Sequence, residues 1–87
     1  MSAHQILFAK SAKKDIQKLD LQTRKRLKQK FTTFILDPLP HSKKLINSKI
    51  GTHRWRVGSY RVIFDLDSKK QEILILRVRH RKEVYKC

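Results

Sequence analysis

Five arginines lie in the last third of this 87-residue chain, at a spacing that predicts one shared face of a β-sheet. They are Arg54, Arg56, Arg61, Arg77 and Arg79. Gly58-Ser59 is a two-residue turn signal of the kind that joins antiparallel strands, and it would set Val57 opposite Tyr60. Like charges directly opposite each other are unfavourable in a sheet, so packing alone would not favour this arrangement. An anionic partner would favour it, and we therefore interpret the five arginines as a phosphate-binding surface.

A second hairpin is predicted after Tyr60, with Asp67 to Gln71 as a five-residue loop. This loop would place Phe64 opposite Leu74 on the neighbouring strand. Because strand side chains alternate with a period of two, one face of the sheet would be apolar and would form the core. The predicted core residues of the strands are Trp55, Val57, Val62, Phe64, Leu74 and Leu76, whereas Ile63 and Ile75 would lie among the arginines.

The residues before the arginine strands predict one strand and two helices. A short strand is expected over Gln5 to Ala9, and an amphipathic helix from Ser11. Asp20 is of the residue type that caps helix N-termini, and Asp37-Pro38 would end the second helix because proline disfavours helix at its own position and just before it. The result is a single α+β domain over residues 1–87, in the order β-α-α-β-β-β. Its two N-terminal helices would pack on one face of a mainly antiparallel four-stranded sheet and leave the arginine face uncovered.

The charge balance is strongly basic, since 22 Lys and Arg against 7 Asp and Glu give a net charge of +15. Such a chain is drawn to polyanions, and nucleic acid is the favoured partner. One cysteine, no apolar run of membrane-spanning length and no signal-peptide pattern predict a cytoplasmic protein that does not enter the membrane. The sequence also lacks a Gly-rich phosphate loop, His/Cys ligand spacing and a Ser-His-Asp set, so neither a metal site nor a cofactor is expected.

RNA can be cleaved without a metal ion, because its own 2′-hydroxyl can attack the adjacent phosphodiester. The reaction needs a base for the hydroxyl proton, a cation that neutralises the phosphorane and an acid for the leaving 5′-oxygen. Arginine suits the second task through its rigid, always charged guanidinium, and histidine suits proton transfer. The tail that follows the last strand supplies His80 for a proton step and Tyr85 for stacking on an unpaired base. This tail is expected to form a short helical turn.

Two motifs in the sequence resemble the RelE/ParE toxin superfamily. One is the Arg-x-Gly-x-Tyr-Arg-Val pattern from Arg56 to Val62, and the other is the His-Arg-x-x-Val-Tyr pattern from His80 to Tyr85. The order of strands and helices is similar over essentially the whole chain. The resemblance implies a RelE-like fold and the toxin of a type II toxin–antitoxin system. It further implies a ribosome-dependent endoribonuclease that cleaves mRNA in the A site and is silenced by a cognate antitoxin in a hetero-oligomer.

The resemblance also implies roles for individual residues. Arg61 would contact the scissile phosphate, Arg81 corresponds to the basic residue after the last strand, His80 to a catalytic acid and Tyr85 to the aromatic residue that positions the nucleotide. Some relatives use lysines of the preceding connector as the base, for which Lys44 and Lys49 are the candidates. The expected catalytic residues are therefore Arg61, Arg81, His80 and Tyr85, and the expected RNA-binding residues are Lys44, Lys49, Arg54, Arg56, Arg77 and Arg79.

Two other functions fit the same sequence. A ParE-like toxin of the same fold would inhibit DNA gyrase by binding it, without catalysis. A basic RNA-binding module would bind RNA and not cut it. The combination of Arg61, His80, Arg81 and Tyr85 favours the nuclease, because a gyrase inhibitor needs no set of residues centred on a phosphate.

Overall fold

The apolar stripes of two helices pack on one face of a β-sheet. The computed structural model describes residues 3–45 and 51–84, with the side chains of 83 and 84 left aside. The elements are β1 (Gln5–Phe8), α1 (Lys10–Gln17), α2 (Leu21–Phe34), β2 (Ser42–Lys44), β3 (His53–Val57), β4 (Tyr60–Asp67), β5 (Glu72–His80) and α3 (Arg81–Val84). Within these ranges no helix is long and apolar enough to span a membrane.

The strands form one sheet in the order β1-β5-β4-β3-β2 over the described residues. β1 runs parallel to β5 at one edge, and the other neighbouring strands are antiparallel. The predicted α+β class is confirmed, but the sheet has five strands and not four. The additional strand is β2, which has only three residues and pairs with β3 from Ser42 opposite Trp55 to Lys44 opposite His53. Such a short, polar edge strand carries no alternating apolar pattern from which it could be predicted.

The core lies between α2 and the helix-facing side of the sheet. Leu27, Phe31 and Phe34 of α2 are buried in one cluster with Trp55, which has no exposed surface. The Trp55 ring lies 4.7 Å from that of Phe34 and 4.1 Å from that of Phe64 between centroids. These contacts confirm that the second helix packs on the sheet as predicted, and they confirm the predicted core side of β3.

The N-cap of α2 is Asp20, as predicted. Its carboxylate accepts a hydrogen bond from the hydroxyl of Thr23, and this bond lowers the pKa of Asp20.

The pairing of β4 with β5 differs from the prediction. Phe64 lies opposite Ile75 and Ile63 lies opposite Arg77, so Leu76 is the extra residue of a β-bulge. Between the bulge and the loop the register is displaced by one residue from the predicted one, because Asp67 pairs with Glu72 and the loop has four residues and not five. This displacement moves every side chain of β5 there to the other face. Ile73 and Ile75 are buried in the core, while Leu74 and Leu76 are the half-buried residues of the opposite face. The predicted core roles of Leu74 and Leu76 are wrong for this reason.

The helix α1 covers the part of the β5 edge that β1 leaves free. β1 pairs with β5 only as far as Ile75. Beyond Ile75, side chains of α1 form hydrogen bonds with backbone groups of β5. Ser11 Oγ donates to the carbonyl of Leu76 at 2.8 Å, and the Asp15 carboxylate accepts the backbone N–H of Val78 at 3.0 Å. Asp15 thus protects a strand edge that would otherwise present unpaired polar groups.

Candidate nucleic-acid interface

Three arginines stand side by side across the sheet on the face opposite to α2. Arg56 of β3 pairs directly with Arg61 of β4, which pairs directly with Arg79 of β5. Neighbouring strands are about 4.8 Å apart. Like charges directly opposite each other on neighbouring strands are destabilising. This arginine row (Arg56, Arg61 and Arg79) is therefore a place where a bound anion relieves repulsion.

The β3–β4 turn holds the side chain of Arg61 in place. Its Nη1 donates to the carbonyl oxygens of Gly58 at 3.1 Å and Tyr60 at 3.0 Å, and the residue is only 5% exposed. Gly58 has a φ of 58°, in the left-handed region that two-residue hairpin turns require and that glycine adopts without strain. The turn that the sequence predicted therefore also orients the central guanidinium of the row.

Two guanidinium groups of the arginine row keep a buried hydrogen-bond donor unused. The Nε atoms of Arg61 and Arg79 are buried and have no hydrogen-bond partner in the described part of the chain. A buried donor without an acceptor costs about 1–3 kcal/mol, more when it is charged. No described carboxylate forms an ion pair with the arginine row. The ion pair on this part of β5 joins Asp15 to Arg77, which is not a member of the row. A phosphate has both the charge and the acceptor oxygens that the row lacks.

Arg77 is not uncovered, contrary to the sequence prediction. Its Nε donates to Asp15 Oδ2 at 2.9 Å and its Nη2 to Asp15 Oδ1 at 3.1 Å, a bidentate ion pair. The side chain of Arg77 is 31% exposed and that of Asp15 12%. The charge of Arg77 is therefore balanced within the protein. The other arginines of this face are Arg54 and the arginine row, in which Arg56 is exposed, Arg79 is half-buried and Arg61 is buried.

The connector contributes Lys43 to the same face. Lys43 lies opposite Arg54 in the sheet, and both residues line a shallow groove of about 190 Å³ with Arg56 and His41. Lys44 lies opposite His53 instead, which places it on the helix-facing side of the sheet edge. Sequence reasoning singled out Lys44 and missed Lys43, because only the pairing of β2 with β3 decides which lysine shares a face with the arginines.

The tail that follows β5 is fixed to the hairpin tip. The backbone N–H of Arg81 donates to the carbonyl of Ser59 at 2.7 Å. Arg81 is the first residue of α3, and its side chain is exposed beside the turn. His80 lies opposite Tyr60, and the two rings meet edge to face at 5.4 Å. The Nδ1 of His80 accepts the backbone N–H of Lys82 at 3.2 Å, which leaves the proton of the neutral ring on Nε2.

The structure brings only part of the predicted site together. Arg56, Arg61 and Arg79 form the row, and Arg54 lies beside Arg56 on β3. His80 lies on the other face of β5, because consecutive side chains of a strand point to opposite faces. Lys49 and Tyr85 lie outside the described residues.

Comparison with known proteins places this geometry in a family. The family described as ParE toxin of type II toxin-antitoxin system, parDE, matches residues 6–85. The sequence is 29% identical over 82 residues to Toxin RelG of Mycobacterium tuberculosis, a match that covers 93% of this chain and 94% of that protein.

Solved structures of toxin–antitoxin complexes share the fold. The toxin–antitoxin complex RelBE2 of Mycobacterium tuberculosis contains a chain that matches with a TM-score of 0.84 and 28% identity, over 92% of this chain and all of that one. The archaeal RelE–RelB complex of Pyrococcus horikoshii matches with a TM-score of 0.77 and 25% identity, over 92% of this chain and 97% of that one. Because the family match extends over nearly the whole sequence, the chain belongs to the ParE toxin family of type II toxin–antitoxin systems, within the RelE/ParE toxin superfamily.

Proposed function

We propose that this toxin is an endoribonuclease that cleaves mRNA on the ribosome by attack of the RNA's own 2′-hydroxyl. The observation that carries the proposal is the arginine row, in which two buried guanidinium Nε donors have no acceptor among the described residues. A gyrase-binding surface has no need of such a set, whereas a phosphodiester supplies the acceptors and the negative charge.

The arginine row would act on the charge that develops at phosphorus. Attack of the 2′-oxygen forms a P–O bond and produces a phosphorane, and departure of the 5′-oxygen breaks the second P–O bond. Donors that are already oriented stabilise this charge without reorganisation, and the turn already fixes Arg61. Arg61 and Arg79 are the central pair for the phosphorane, while the exposed Arg56 at the end of the row is suited to a flanking phosphate.

The proton steps fall to residues around the row. The 2′-hydroxyl proton goes to a base, for which Lys49 stays the sequence-based candidate. Lys44 is turned to the helix-facing side and is the weaker choice. The leaving 5′-oxygen takes a proton from an acid, for which His80 stays the sequence-based candidate, although its ring lies with Tyr60 on the other face of β5. Arg81 is anchored beside the turn. Tyr85 keeps its predicted role of stacking on the nucleotide.

The antitoxin is the second partner that we propose. Similar folds occur in structures of RelB–RelE and RelBE2 complexes, in which toxin and antitoxin are bound together. A chain with a charge of +15, whose arginine row forms no ion pair with a described carboxylate, attracts an acidic or amphipathic segment, and such a segment would occupy the phosphate site. Both the ribosome and the antitoxin would be met in the cytoplasm.

The test is to express the chain without its antitoxin and to map the 5′ ends of cellular mRNA while protein synthesis is measured. Arg61→Ala should reduce cleavage by about 100-fold or more, the usual loss for a group that stabilises transition-state charge. Arg61→Lys keeps the charge but not the planar fork and should recover only part of the activity. Lys30→Ala is the matched control, since it removes one positive charge from an exposed position of α2. Full cleavage by Arg61→Ala would refute the proposal.

Inhibition of gyrase is the second candidate, favoured by the match to the ParE family. It predicts arrested DNA replication with intact mRNA, and toxicity that persists in Arg61→Ala. The same expression experiment therefore separates the two functions, provided that DNA and protein synthesis are both followed.

A further inference from the structure

A polar groove lies on the helix-facing side of the β3–β4 hairpin, away from the arginine row. It has a volume of about 560 Å³, within the range of ligand-binding clefts. The groove is bordered by α2 on one side and the hairpin tip on the other. Its polar and aromatic lining includes Gln22, Lys25, Arg26, Gln29, Ser59 and Tyr60. None of the residues that line it is acidic, so two cations there face the solvent with no charge to balance them within the groove.

The groove and the arginine row meet at Gly58. From the open face, Arg61 Nη1 donates to the carbonyl of Gly58. From the helix side, Arg26 lies so close that a Cβ added to Gly58 would be 3.0 Å from Arg26 Nη1. The hairpin tip carries little side-chain bulk, because Gly58 has no side chain and Ser59 has a small, exposed one. Cationic groups therefore border the turn on both sides, with no bulky side chain on the tip between them.

We infer that a single-stranded RNA crosses this turn, with the scissile phosphate at the arginine row and flanking nucleotides in the groove. The position of the scissile phosphate at the arginine row rests on the proposed function. In the groove, Lys25 and Arg26 would bind phosphates, while the amides of Gln22 and Gln29 can both donate to and accept from base edges. Tyr60 offers an aromatic surface at the end of the groove, of the kind on which unpaired bases stack.

This lining suits RNA better than an acidic protein segment. An acidic helix would need apolar surface as well as cations to be held, and the groove offers mainly amides, hydroxyls and charges. Unpaired RNA uses all three types of group at once, through its phosphates, base edges and base planes. The groove would thus extend the substrate site and determine which nucleotides beside the cut are preferred.

The test measures RNA binding without cleavage. The probe is a fluorescent 2′-O-methyl oligonucleotide about eight nucleotides long, within the size range of single-stranded sites. It lacks the attacking hydroxyl, and a labelled dinucleotide of the same chemistry serves as the short probe. The full-length chain is compared with the double variant Lys25→Gln/Arg26→Gln. The matched control is Lys13→Gln/Lys30→Gln, which removes the same charge from exposed helix positions outside the groove.

Loss of two phosphate contacts should make the dependence of log affinity on log salt less steep by about 1.4, since each phosphate contributes about 0.7 for single strands. The change is expected when the groove variant binds the long probe. It is expected neither for the control variant nor when the dinucleotide is the probe. The inference is overturned if the control loses as much slope as the groove variant, or if the groove variant loses none. It is likewise overturned if the variant weakens antitoxin binding alone. Arg61→Ala, assayed for cleavage in parallel, tests the proposed function separately, because a groove effect on binding needs no cleavage.

Discussion

Asp15 should be the most sensitive acidic residue of this toxin for stability. Its carboxylate accepts two hydrogen bonds from Arg77 and one from the backbone N–H of Val78. A bond to a charged group contributes about 1.5–3 kcal/mol, and the share of the partly exposed Arg77 belongs at or below the low end. We therefore expect Asp15→Ala to lower the free energy of unfolding by about 3–4 kcal/mol, including the cost of leaving the Val78 N–H unpaired. The total for a chain of this length is about 4–13 kcal/mol.

Asp15→Asn separates the two contributions, because its amide oxygen can still accept the Val78 N–H but forms no ion pair. It should cost about half as much as Asp15→Ala, about 1.5–2 kcal/mol. Asp37→Ala is the matched control, since Asp37 is exposed and its loss raises the net charge by the same amount. Urea unfolding followed by the fluorescence of the buried Trp55 gives the three values. The reasoning is refuted if Asp15→Ala costs no more than Asp37→Ala, or if Asp15→Asn costs as much as Asp15→Ala.

Two further predictions follow from the open face of the sheet. Gly51→Ala should lower the free energy of unfolding by about 1–3 kcal/mol, because its Cβ would come within 2.7 Å of Ile63 Cγ2 and 2.9 Å of Leu76 Cδ1; a urea midpoint equal to that of the wild type would contradict this. Arg56→Gln should make the salt dependence of RNA binding less steep by about 0.7, whereas Arg77→Gln, with the same change of charge, should leave it nearly unchanged because Asp15 already balances Arg77. Equal effects of the two variants would show that the ion pair does not withdraw Arg77 from the binding surface.

The sequence predicted those parts of the fold that depend on local patterns. The turn at Gly58-Ser59 determines the whole register of β3 with β4, so His53 lies opposite Phe64 as expected. The same register places Arg56 beside Arg61, and the central part of the candidate site could therefore be predicted.

The register of β5 could not be predicted in the same way. The segment from Ile73 to Leu76 is apolar at every position, so neither phase of the alternation is marked by a polar residue. The pattern therefore indicates neither the four-residue loop nor the bulge at Leu76, and these two features determine which of these residues enter the core.

Long-range pairing also carried no signal in the sequence. Asp15 and Arg77 lie far apart along the chain, on different elements, and nothing near either residue marks the ion pair. Lys43 was missed for the same reason, because its face depends on the pairing of a three-residue strand.

The parallel pairing of β1 with β5 has a consequence for the order of folding. Gln5 lies opposite Glu72, so the first strand cannot be paired until nearly the whole sheet exists. The β3–β4 and β4–β5 hairpins close short loops, whereas β1 and α1 must close the longest one, which is the entropically most costly step. Mutations in β1 and α1, including Asp15, should therefore mainly accelerate unfolding, and mutations in the hairpins should mainly slow folding. In such a sequence of events the two hairpins bring Arg56, Arg61 and Arg79 together before the edge of the sheet is closed, so an antitoxin that recognises the row could bind the toxin while β1 and α1 are still undocked.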